Sequence, residues 1–499
     1  MASLYNSLKS DMLLYHTLIL DVSSLLVQTS DLPQDTRLLL HNIQSSAIWA
    51  QYEKGRITAE LCYTTLSHEL SVEVSKIDRA LRVSRASRAC NIDFINLLRQ
   101  IRKSNSSASR FFAAGNASQD EFEQVKQLFG QHDWEGLFDG VFPSWQVGAR
   151  KPELSFFKHI ISAAQIDASC TIYIDSSPDS VLGAVSQGFH GILYQGLLSS
   201  LEQSLANLLH DPVERGQGFL KGNAGALGSV CDGAVVQENF SQLLILELTG
   251  DMSLVSLVRK ETPGRWHFFQ EKLTIGQFTT AEFPFDLDTT SVGLTNVKEE
   301  DTGLVMSVMD KMLDYVDEDG IVQTYFDHNR RRIDPVVCVN VLSLFLNYSR
   351  IEQLDRTLQW VYEVLLNRAY IHGTRYYTTA EAFLFFLCRM LRQYCPSSSG
   401  EIRERFLPLL KERISERVGT AADALNLAMR VIICDYVGVK NEVDYRDLRS
   451  AQQQDGGWEA GGLYRFGNSG YVLKNRGLTT AMAIQAIREH QAGGYSQIL

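Results

Sequence analysis

The spacing of apolar residues changes partway along the chain, and this change constrains the fold more than any other feature of the sequence. In the first part, short apolar runs at 13–26, 110–116, 170–175 and 190–194 alternate with stretches whose apolar residues lie three and four positions apart. This alternation predicts strands and helices in a parallel, doubly wound sheet. Beyond residue 222 almost every pattern is helical, and the number of paired amphipathic helices predicts a closed α/α toroid. The expected fold is therefore multidomain, α/β followed by all-α.

The length of the chain fits this division. At 499 residues the chain is too long for one hydrophobic core. We expect a first domain over residues 1–205, a glycine-rich linker over 206–222 and a second domain over 223–499. A helical stretch at about residues 35–103 is inserted in the first domain after its first strand.

Charge and cysteine content exclude several classes of protein. The formal net charge is −11, and the sequence has no basic tail or stripe, so a general nucleic-acid or anionic-membrane binder is not expected. The eight cysteines are scattered without zinc-site spacing and predict reduced thiols. The N-terminal residues lack the apolar core of a signal peptide, and no apolar run approaches about 18 residues, so we expect no transmembrane segment and a cytoplasmic location. The oligomeric state is left open.

The stretch Phe283–Leu294, FPFDLDTTSVGL, carries the strongest chemical signal. Asp286 and Asp288 stand two apart among apolar residues and are followed by Thr289 and Thr290. Burial raises the pKa of a carboxyl group, and one ionised carboxylate raises the proton affinity of its neighbour. Keeping an aspartic acid protonated at pH 7 recovers roughly 4 kcal/mol relative to its free pKa of about 3.9. The stretch predicts a buried proton donor, although the same residues could simply cap a helix.

Acidic residues also end two apolar strands in the first half. Asp21 closes the strand in 13–26, and Asp175 closes the strand in 170–175. Open α/β sheets place their sites at the carboxyl ends of strands. We therefore expect these two carboxylates to mark a second site.

The first half resembles the haloacid-dehalogenase-like phosphohydrolases. The resemblance is carried by LILDVSSLL, VGARKPELSFFKHI and IYIDSSPDSVLGAVSQGFHGILY, in that order, and the helical insert is similar to that family's cap. It implies that Asp21 is the nucleophile, that Lys151 contacts phosphate, and that Asp175 and Asp179 are magnesium carboxylates. A Mg²⁺ ion would then lie on Asp21 and Asp175.

Three positions depart from that family. Ser23 stands where the phosphatases carry their acid/base aspartate, Gly115 stands where a Ser or Thr holds the phosphate, and Ser176 replaces the second residue of an Asp-Asp pair. Loss of general-acid help costs roughly 10²–10⁴-fold in rate. We therefore predict that the phosphatase domain is degenerate because of these three residues.

The second half resembles the β-domain of class II terpene cyclases. Residues 453–458 fit the Q-x-D-G-x-W pattern of those enzymes, where Gln and Trp tie a helix end to a turn, and 463–481 (LYRFGNSGYVLKNRGLTTA) matches their last segment. The whole chain resembles fused haloacid-dehalogenase/terpene-cyclase proteins that make drimane sesquiterpenes. The resemblance implies an α/α barrel that cyclises farnesyl diphosphate to drimenyl or albicanyl diphosphate. Asp288 would be the general acid, tuned by Asp286 and oriented by Thr289 and Thr290.

The same reaction requires groups for the diphosphate and for the carbocation. We expect Lys474 and Arg476 to bind the diphosphate, with Arg332 as a further candidate, and Mg²⁺ to assist. Asn340 could hydrogen-bond the acid. Aromatic faces stabilise a cation by perhaps 1–2 kcal/mol each when desolvated. The second half supplies eleven such candidates, namely Trp266, Phe268, Phe269, Tyr325, Phe326, Trp360, Tyr376, Tyr377, Phe383, Phe385 and Phe386.

Three other functions stay open from the sequence. The cyclisation described above leaves a diphosphate, which a separate phosphatase would remove. In the first alternative the chain itself releases drimenol or albicanol, and no separate phosphatase is needed. In the second, the chain is a phosphatase with a helical accessory domain, which the residues Ser23, Gly115 and Ser176 disfavour. In the third, both sites are relics of a binding protein, which the intact Asp286–Thr290 motif disfavours.

Overall fold

The computed structural model describes residues 15–104, 110–130, 134–259, 262–270, 283–297, 301–394, 400–467 and 469–493. The chain divides into two compact units, Met1–Asp211 and Pro212–Leu499. Each unit has its own buried core.

A parallel sheet organises the first unit. Its strand order is β5–β4–β1–β6–β7, and every neighbouring pair is parallel. Strand β1 is central and fully buried, which explains its continuous apolar run. The doubly wound sheet predicted from the sequence is therefore present. The strands of this unit are β1 (Thr17–Asp21), β2 (Val27–Thr29), β3 (Arg88–Cys90), β4 (Arg110–Gly115), β5 (Gly140–Pro143), β6 (Thr171–Asp175) and β7 (His190–Leu193).

The helices of the first unit flank the sheet or form the insert. They are α1 (Gln34–Ser45), α2 (Ala47–Glu53), α3 (Ala59–Leu70), α4 (Val74–Ala86), α5 (Ile92–Ser104), α6 (Gln119–Phe129), α7 (Trp134–Leu137), α8 (Ser144–Val147), α9 (Leu154–Ala164), α10 (Pro178–Val185) and α11 (Leu198–Leu209). A five-residue π-helix, Val22–Leu26, follows β1 directly.

The helical insert is shorter than the sequence predicted. Helices α1–α4 share a separate core around Trp49 and Leu66, whereas α5 buries Phe94 and Leu98 in the core of the sheet. The antiparallel pair β2–β3 closes the insert where the chain returns. The insert therefore ends before residue 103, because amphipathicity alone does not reveal which core a helix packs against.

The stretch 206–222, predicted as a linker, is mostly helical. Helix α11 packs its Leu205 and Leu209 in the first unit, and α12 (Pro212–Gly222) belongs to the second unit. Gly216 lies in α12 against the last helix, where an added Cβ would approach the Ile484 side chain to 2.9 Å. This glycine permits close packing of two helices. The boundary between the two units lies within the predicted stretch, but the stretch is mostly helical.

The second unit is mostly helical. Its further helices are α13 (Asn239–Thr249), α14 (Leu287–Asn296), α15 (Thr302–Leu313), α16 (Pro335–Asn347), α17 (Asp355–Leu366), α18 (Ala380–Arg389), α19 (Gly400–Ser415), α20 (Ala424–Val437), α21 (Glu442–Ser450) and α22 (Arg476–Gln491). Four short strands form one antiparallel sheet in the order β10–β11–β8–β9, and these are β8 (Ser229–Cys231), β9 (Ala234–Val236), β10 (Gly461–Arg465) and β11 (Val472–Asn475).

Six of the described helices contact one another in a closed ring. The order is α13, α14, α16, α18, α20 and α22, and α22 contacts α13 again. Four helices that are not members of the ring each pack against one of its helices, and these are α12, α17, α19 and α21. Residues on all sides of α16, α18 and α20 are buried, as expected for helices in an inner layer.

Hydrogen bonds join the starts of neighbouring ring helices. Glu238, the N-cap of α13, accepts from the Ser229 hydroxyl at 2.7 Å, and Asn475, the N-cap of α22, donates to the same hydroxyl at 3.0 Å. Asp334, the N-cap of α16, accepts from the backbone N–H of Tyr376 just before α18. The positive ends of several helix dipoles therefore meet at this end of the ring.

Two further predictions concern described residues. No described helix has both the length and the apolar character needed to cross a bilayer. The seven described cysteines are free thiols, and five of them are buried; Cys395 lies outside the described residues.

Candidate active site

The Asp286–Thr290 motif begins helix α14 within the ring. Asp286 is the N-cap residue, and its Oδ1 accepts from the backbone N–H of Thr289 at 2.6 Å. Asp288 lies in the first turn. The two carboxyl groups are only 4% and 5% exposed. Asp286 thus fulfils the capping alternative, whereas Asp288 is a buried carboxyl group that the cap does not use.

Two side chains hydrogen-bond the carboxyl group of Asp288. Nδ2 of Asn340 donates to Oδ1 at 2.7 Å, and the Tyr377 hydroxyl contacts Oδ2 at 2.5 Å. Asn340 comes from α16, and Tyr377 comes from the segment before α18. The hydrogen bond from Asn340 confirms the sequence expectation. These contacts fix the carboxyl group in one orientation within the ring.

Burial controls the protonation of the pair. Desolvation, with the charge of Asp288 as the next cause, raises the pKa of Asp286 to about 8. Desolvation also raises the pKa of Asp288 to about 7, although hydrogen bonds from Tyr377 and Asn340 oppose the rise. The sequence interpretation considers an ionised Asp286, whereas burial raises the pKa of both carboxyl groups. Because the two groups are coupled, the pair as a unit retains a proton near neutral pH.

The two threonines are fully buried and act mainly on the backbone. The Thr290 hydroxyl accepts from the backbone N–H of Trp266 at 3.1 Å and lies 3.3 Å from its carbonyl oxygen. Thr290 therefore anchors the segment at Trp266 to α14. The side chain of Thr289 acts on Asp286, where its hydrogen bonding opposes the rise in the pKa of that carboxyl group.

A cluster of tyrosine rings lies beside the acid pair. The backbones of Tyr325 and Asp286 pair in a single antiparallel bridge. The centroid of the Tyr325 ring lies 6.1 Å from that of Tyr376. The Tyr376 ring stacks on Tyr464 at 5.8 Å, and Tyr464 lies 6.0 Å from Tyr377. Burial raises the pKa of Tyr464 well above its usual value, and the charges of both aspartates add to the rise. These rings form one connected cluster that includes Tyr377, the hydrogen-bond partner of Asp288.

The predicted diphosphate residues lie in different surroundings. Arg332 donates to the Tyr376 hydroxyl at 3.3 Å and so reaches the tyrosine cluster. Arg476 forms a two-point ion pair with Asp455, with both N–O distances 2.8 Å, and also donates to the carbonyl of Trp458. Lys474 is exposed on β11, paired with Val230. Of the three, Arg332 is the residue that the described contacts bring to the tyrosine cluster.

The Q-x-D-G-x-W segment has a structural role. Nε1 of Trp458 donates to the carbonyl of Leu448 at 2.7 Å. Nε2 of Gln452 donates to the carbonyls of Pro212 and Gly456 at 2.9 and 2.8 Å. The tie between helix end and turn is present as predicted, but Gln452 provides it rather than the motif residue Gln453.

The second site of the sequence analysis lies at the carboxyl ends of β1 and β6. The Lys151 ammonium contacts Oδ1 of Asp21 and Oδ2 of Asp175, the latter at 2.7 Å. All three side chains are buried. The Tyr173 hydroxyl also donates to Asp175 at 2.7 Å. The structure thus brings Asp21, Lys151 and Asp175 together, while Asp179 is exposed at the start of α10.

The surroundings of Asp21 show how this site departs from a phosphatase. Oδ2 of Asp21 accepts from the backbone N–H and the hydroxyl of Ser24 at 2.7 and 2.6 Å. A Cβ on Gly115 would lie 3.8 Å from Oδ1 of Asp21 and 3.7 Å from the Ser23 hydroxyl. Gly115 therefore stands beside the carboxylate but offers no hydroxyl to a phosphate.

Nearly the whole chain is similar to a known cyclase. The model of the sesquiterpene cyclase astC-like C-terminal domain matches residues 213–348. Drimenol cyclase drtB of Aspergillus calidoustus is 38% identical over 476 residues, which cover 94% of this chain and 87% of that protein. This chain belongs to the fused haloacid-dehalogenase-like/terpene cyclase family of drimane-type sesquiterpene cyclases. The resemblance drawn from the sequence is confirmed, and with it the class II terpene cyclase assignment.

Other relatives match smaller parts of this cyclase. Sesquiterpene phosphatase astK of Aspergillus oryzae is 28% identical over 153 residues, covering 31% of the cyclase and 75% of the phosphatase. A haloacid-dehalogenase family enzyme of Bacteroides thetaiotaomicron, solved with magnesium and inorganic phosphate, is 21% identical and covers 37% of the cyclase and 96% of its own chain, with a TM-score of 0.31. L-2-haloacid dehalogenase of Xanthobacter autotrophicus is 12% identical. The match covers 39% of the cyclase and 84% of the dehalogenase, with a TM-score of 0.29.

Sequence reasoning missed three side chains near the acid of the cyclase. These side chains are Tyr464, Glu247 and Arg389. Arg389 is a lone cation in the apolar run AFLFFLCRML of α18, and it is only 3% exposed. A charged residue in such a run is rarely buried without a partner, and this signal could have identified it.

Proposed function

We propose that Asp288 is the general acid that starts the cyclisation of farnesyl diphosphate to a drimane-type bicyclic diphosphate, drimenyl or albicanyl diphosphate. The proton adds to the inner carbon of the terminal alkene and leaves a tertiary cation on the carbon that bears two methyl groups. The next two alkenes close two rings, and loss of one proton from a neighbouring carbon ends the reaction. One proton is gained and one is lost while the diphosphate is retained, so the overall reaction is an isomerisation.

One observation carries this proposal. Asp288 is a buried carboxyl group whose pKa is raised to about 7 by burial, and both of its oxygens are hydrogen-bonded, one to Asn340 and one to Tyr377. Alkenes are weakly basic, so an acid in an apolar, aromatic site is needed to protonate one. The adjacent rings of Tyr325, Tyr376 and Tyr464 can stabilise the cation that follows.

We further propose that the closed ring of helices is the inner layer of an α/α barrel. Helices α12, α17, α19 and α21, which pack against ring members, would belong to the outer layer. The buried N-caps Glu238, Asp286 and Asp334 would then lie at the end of the barrel that receives the substrate. The favourable dipoles at this end suit an anionic diphosphate.

Product analysis tests the proposed reaction. The full-length protein is incubated with farnesyl diphosphate, and the products are analysed with and without added phosphatase. A bicyclic alcohol that appears only after phosphatase treatment supports cyclisation with retention of the diphosphate. Turnover of simple phosphate esters without any bicyclic product would instead support a phosphatase with a helical accessory domain.

For the diphosphate we propose Arg332 as a contact, with Lys474 and Arg476 as the other candidates. Replacing Arg332 by Gln should raise KM for farnesyl diphosphate about 10-fold or more with little change in kcat, since a hydrogen bond to a charged group contributes roughly 1.5–3 kcal/mol. Steady-state kinetics of Arg332→Gln and Lys474→Gln measure this. A larger rise in KM for Lys474→Gln than for Arg332→Gln would indicate that Lys474, rather than Arg332, contacts the diphosphate.

For the first unit we propose weak or absent phosphatase activity. A Mg²⁺ ion would be held by Asp21 and Asp175, whose oxygens converge on Lys151; one or two carboxylates plus phosphate oxygens suffice for this ion. The described residues include no group of three or more metal-ligating side chains. When bound, the ion would neutralise phosphate charge. Ser23 supplies no carboxylate that could act as acid or base. Gly115 supplies no hydroxyl that could hold the phosphate.

A bifunctional cyclase is the second candidate, because the relative drtB is named for drimenol, the free alcohol. The variant Asp21→Asn separates the two functions. It should leave the rate of bicyclic diphosphate formation unchanged and abolish any alcohol formed without added phosphatase. Mass spectrometry of both products measures this. Alcohol formed at the wild-type rate by this variant would exclude the first unit as its source.

We also propose that the cyclase acts in the cytoplasm, with a separate phosphatase acting on its product. The free thiols of the described residues support the first proposal. Ser23 and Gly115 support the proposal of a separate phosphatase, because neither residue supplies the group that phosphatase activity of the first unit would need.

A further inference from the structure

Arg389 and Glu247 form an ion pair, with side chains 2% and 12% exposed, that the proposed reaction does not use directly. Nε and Nη2 of Arg389 donate to the two carboxylate oxygens of Glu247 at 2.7 and 2.6 Å. Nη1 donates to Oδ1 of Asn340 at 3.3 Å. The other end of the same amide donates to Asp288 at 2.7 Å. Four side chains from four ring helices therefore form one continuous hydrogen-bonded chain that ends on the acid.

The direction of these hydrogen bonds is fixed by Arg389. An asparagine amide keeps its shape when it is turned by 180°, but only its nitrogen end donates. A guanidinium group has donors and no acceptor. Its contact therefore holds the oxygen end of Asn340 toward α18 and the nitrogen end toward Asp288. The amide N–H that faces Oδ1 of Asp288 cannot accept a hydrogen bond, whereas the Tyr377 hydroxyl beside Oδ2 can turn and accept one. The acidic hydrogen is therefore confined to Oδ2, on the side of Tyr377.

We propose that Arg389, held by Glu247, is a positioning residue that fixes the Asn340 amide and thereby keeps the transferable proton of Asp288 on Oδ2. This inference rests on the proposed function of Asp288. Without Arg389 the amide can turn and accept a hydrogen bond from Oδ1. The acidic hydrogen would then point at Asn340 instead of at the alkene, and the acid would be protonated but unproductive.

A neighbouring ring helix offers a matched control. Arg430 of α20 is also fully buried, with carboxylate oxygens of Asp444 and Glu381 at 3.2 and 3.7 Å. Arg430 also donates hydrogen bonds to the carbonyls of Arg417 and Thr420 and to the Thr420 hydroxyl. Arg430 is therefore a buried arginine with a structural role outside the chain of side chains that ends on Asp288.

The test compares Arg389→Lys in two backgrounds. Lysine keeps the charge but cannot bridge Glu247 and Asn340, so kcat should fall about 10-fold with KM unchanged, because a small misplacement of a catalytic group costs up to about 10²-fold. In an Asn340→Ala background the same change should lower kcat by less than about 2-fold, since the linking amide is absent. Arg430→Lys should leave kcat within about 2-fold of the wild type.

Several outcomes would overturn the inference. Equal losses of kcat in both backgrounds would show that Arg389 does not act through Asn340. A rise in KM alone, or an equal loss of kcat in Arg430→Lys, would indicate binding or general packing. Glu247→Gln tests the same link from the other end and carries the decision if Arg389→Lys does not fold. If the wild type does not cyclise farnesyl diphosphate, the proposed function itself fails, which is a distinct result.

Discussion

Replacement of Asp288 by asparagine is expected to lower the rate of bicyclic diphosphate formation by about 10⁴-fold, the upper end of what a general acid contributes. The amide has nearly the same shape as the acid. It can accept from Asn340 and donate to the Tyr377 hydroxyl, so the local contacts can be kept. What the variant lacks is a proton that an alkene can take. KM for farnesyl diphosphate should change little, because the carboxyl group is not proposed to contact the diphosphate.

The decrease is measured as kcat from product formation, with phosphatase treatment before extraction. The matched control is Asp435→Asn, a buried aspartate of α20 that contacts His490 rather than the acid pair. This control should retain cyclisation. Cyclisation by Asp288→Asn at the rate of the control would show that another group supplies the proton.

The same variant is expected to be more stable than the wild type at neutral pH. The pKa of Asp288 is raised in the folded protein to about 7, while the unfolded value is about 3.9. A raised carboxyl pKa leaves stability intact below about pH 4 and removes it as the pH rises toward 7. Asparagine escapes this loss. The free energy of unfolding should therefore increase by up to about 4 kcal/mol at pH 7 and by almost nothing at pH 4.

Denaturant unfolding of both proteins at pH 4 and pH 7 measures the difference. Asp455→Asn provides a control of opposite sign, because the ion pair with Arg476 lowers the pKa of Asp455. That variant should lose stability at pH 7, where the carboxylate is charged. Equal stabilities of Asp288→Asn and the wild type at pH 7 would mean that Asp288 is not protonated by its surroundings.

Local sequence patterns were sufficient to predict the acidic residues of both sites. Apolar runs identified β1 and β6, and the position of Asp21 and Asp175 at their ends placed these carboxylates at one edge of a parallel sheet. The apolar neighbours of Asp286 and Asp288 predicted their burial. These features depend on residues close in sequence, where the physical rules for strands, caps and burial operate.

Predictions that depend on distant partners were less complete. The sequence gives no indication that Asp455 forms an ion pair with Arg476, or that α5 packs against the sheet. Gly216 looked like a linker residue because its partner, Ile484, lies far along the chain. The orientation of Asn340 likewise depends on Arg389 and Glu247, which come from two other helices. Tertiary contacts of this kind cannot be inferred from the periodicity of one segment.

The different surroundings of the two acidic groups could also be seen only in the structure. Two carboxyl groups that interact in an apolar setting titrate as a pair. Only the contacts show that Asp288 has donors on both oxygens, whereas Oδ2 of Asp286 has no hydrogen-bond partner among the described residues. The donors favour the charged form of Asp288 and oppose the rise in its pKa that burial causes.

Deuterium labelling tests proton transfer from Asp288 to the alkene most directly. The wild type and Asp288→Asn are incubated with farnesyl diphosphate in D₂O, and the bicyclic diphosphate is analysed by mass spectrometry and NMR. We expect a single deuterium from the wild type, on the ring carbon next to the carbon with two methyl groups, and almost no product from the variant. Unlabelled bicyclic product from the wild type, or labelled product formed by the variant at an undiminished rate, would contradict this mechanism.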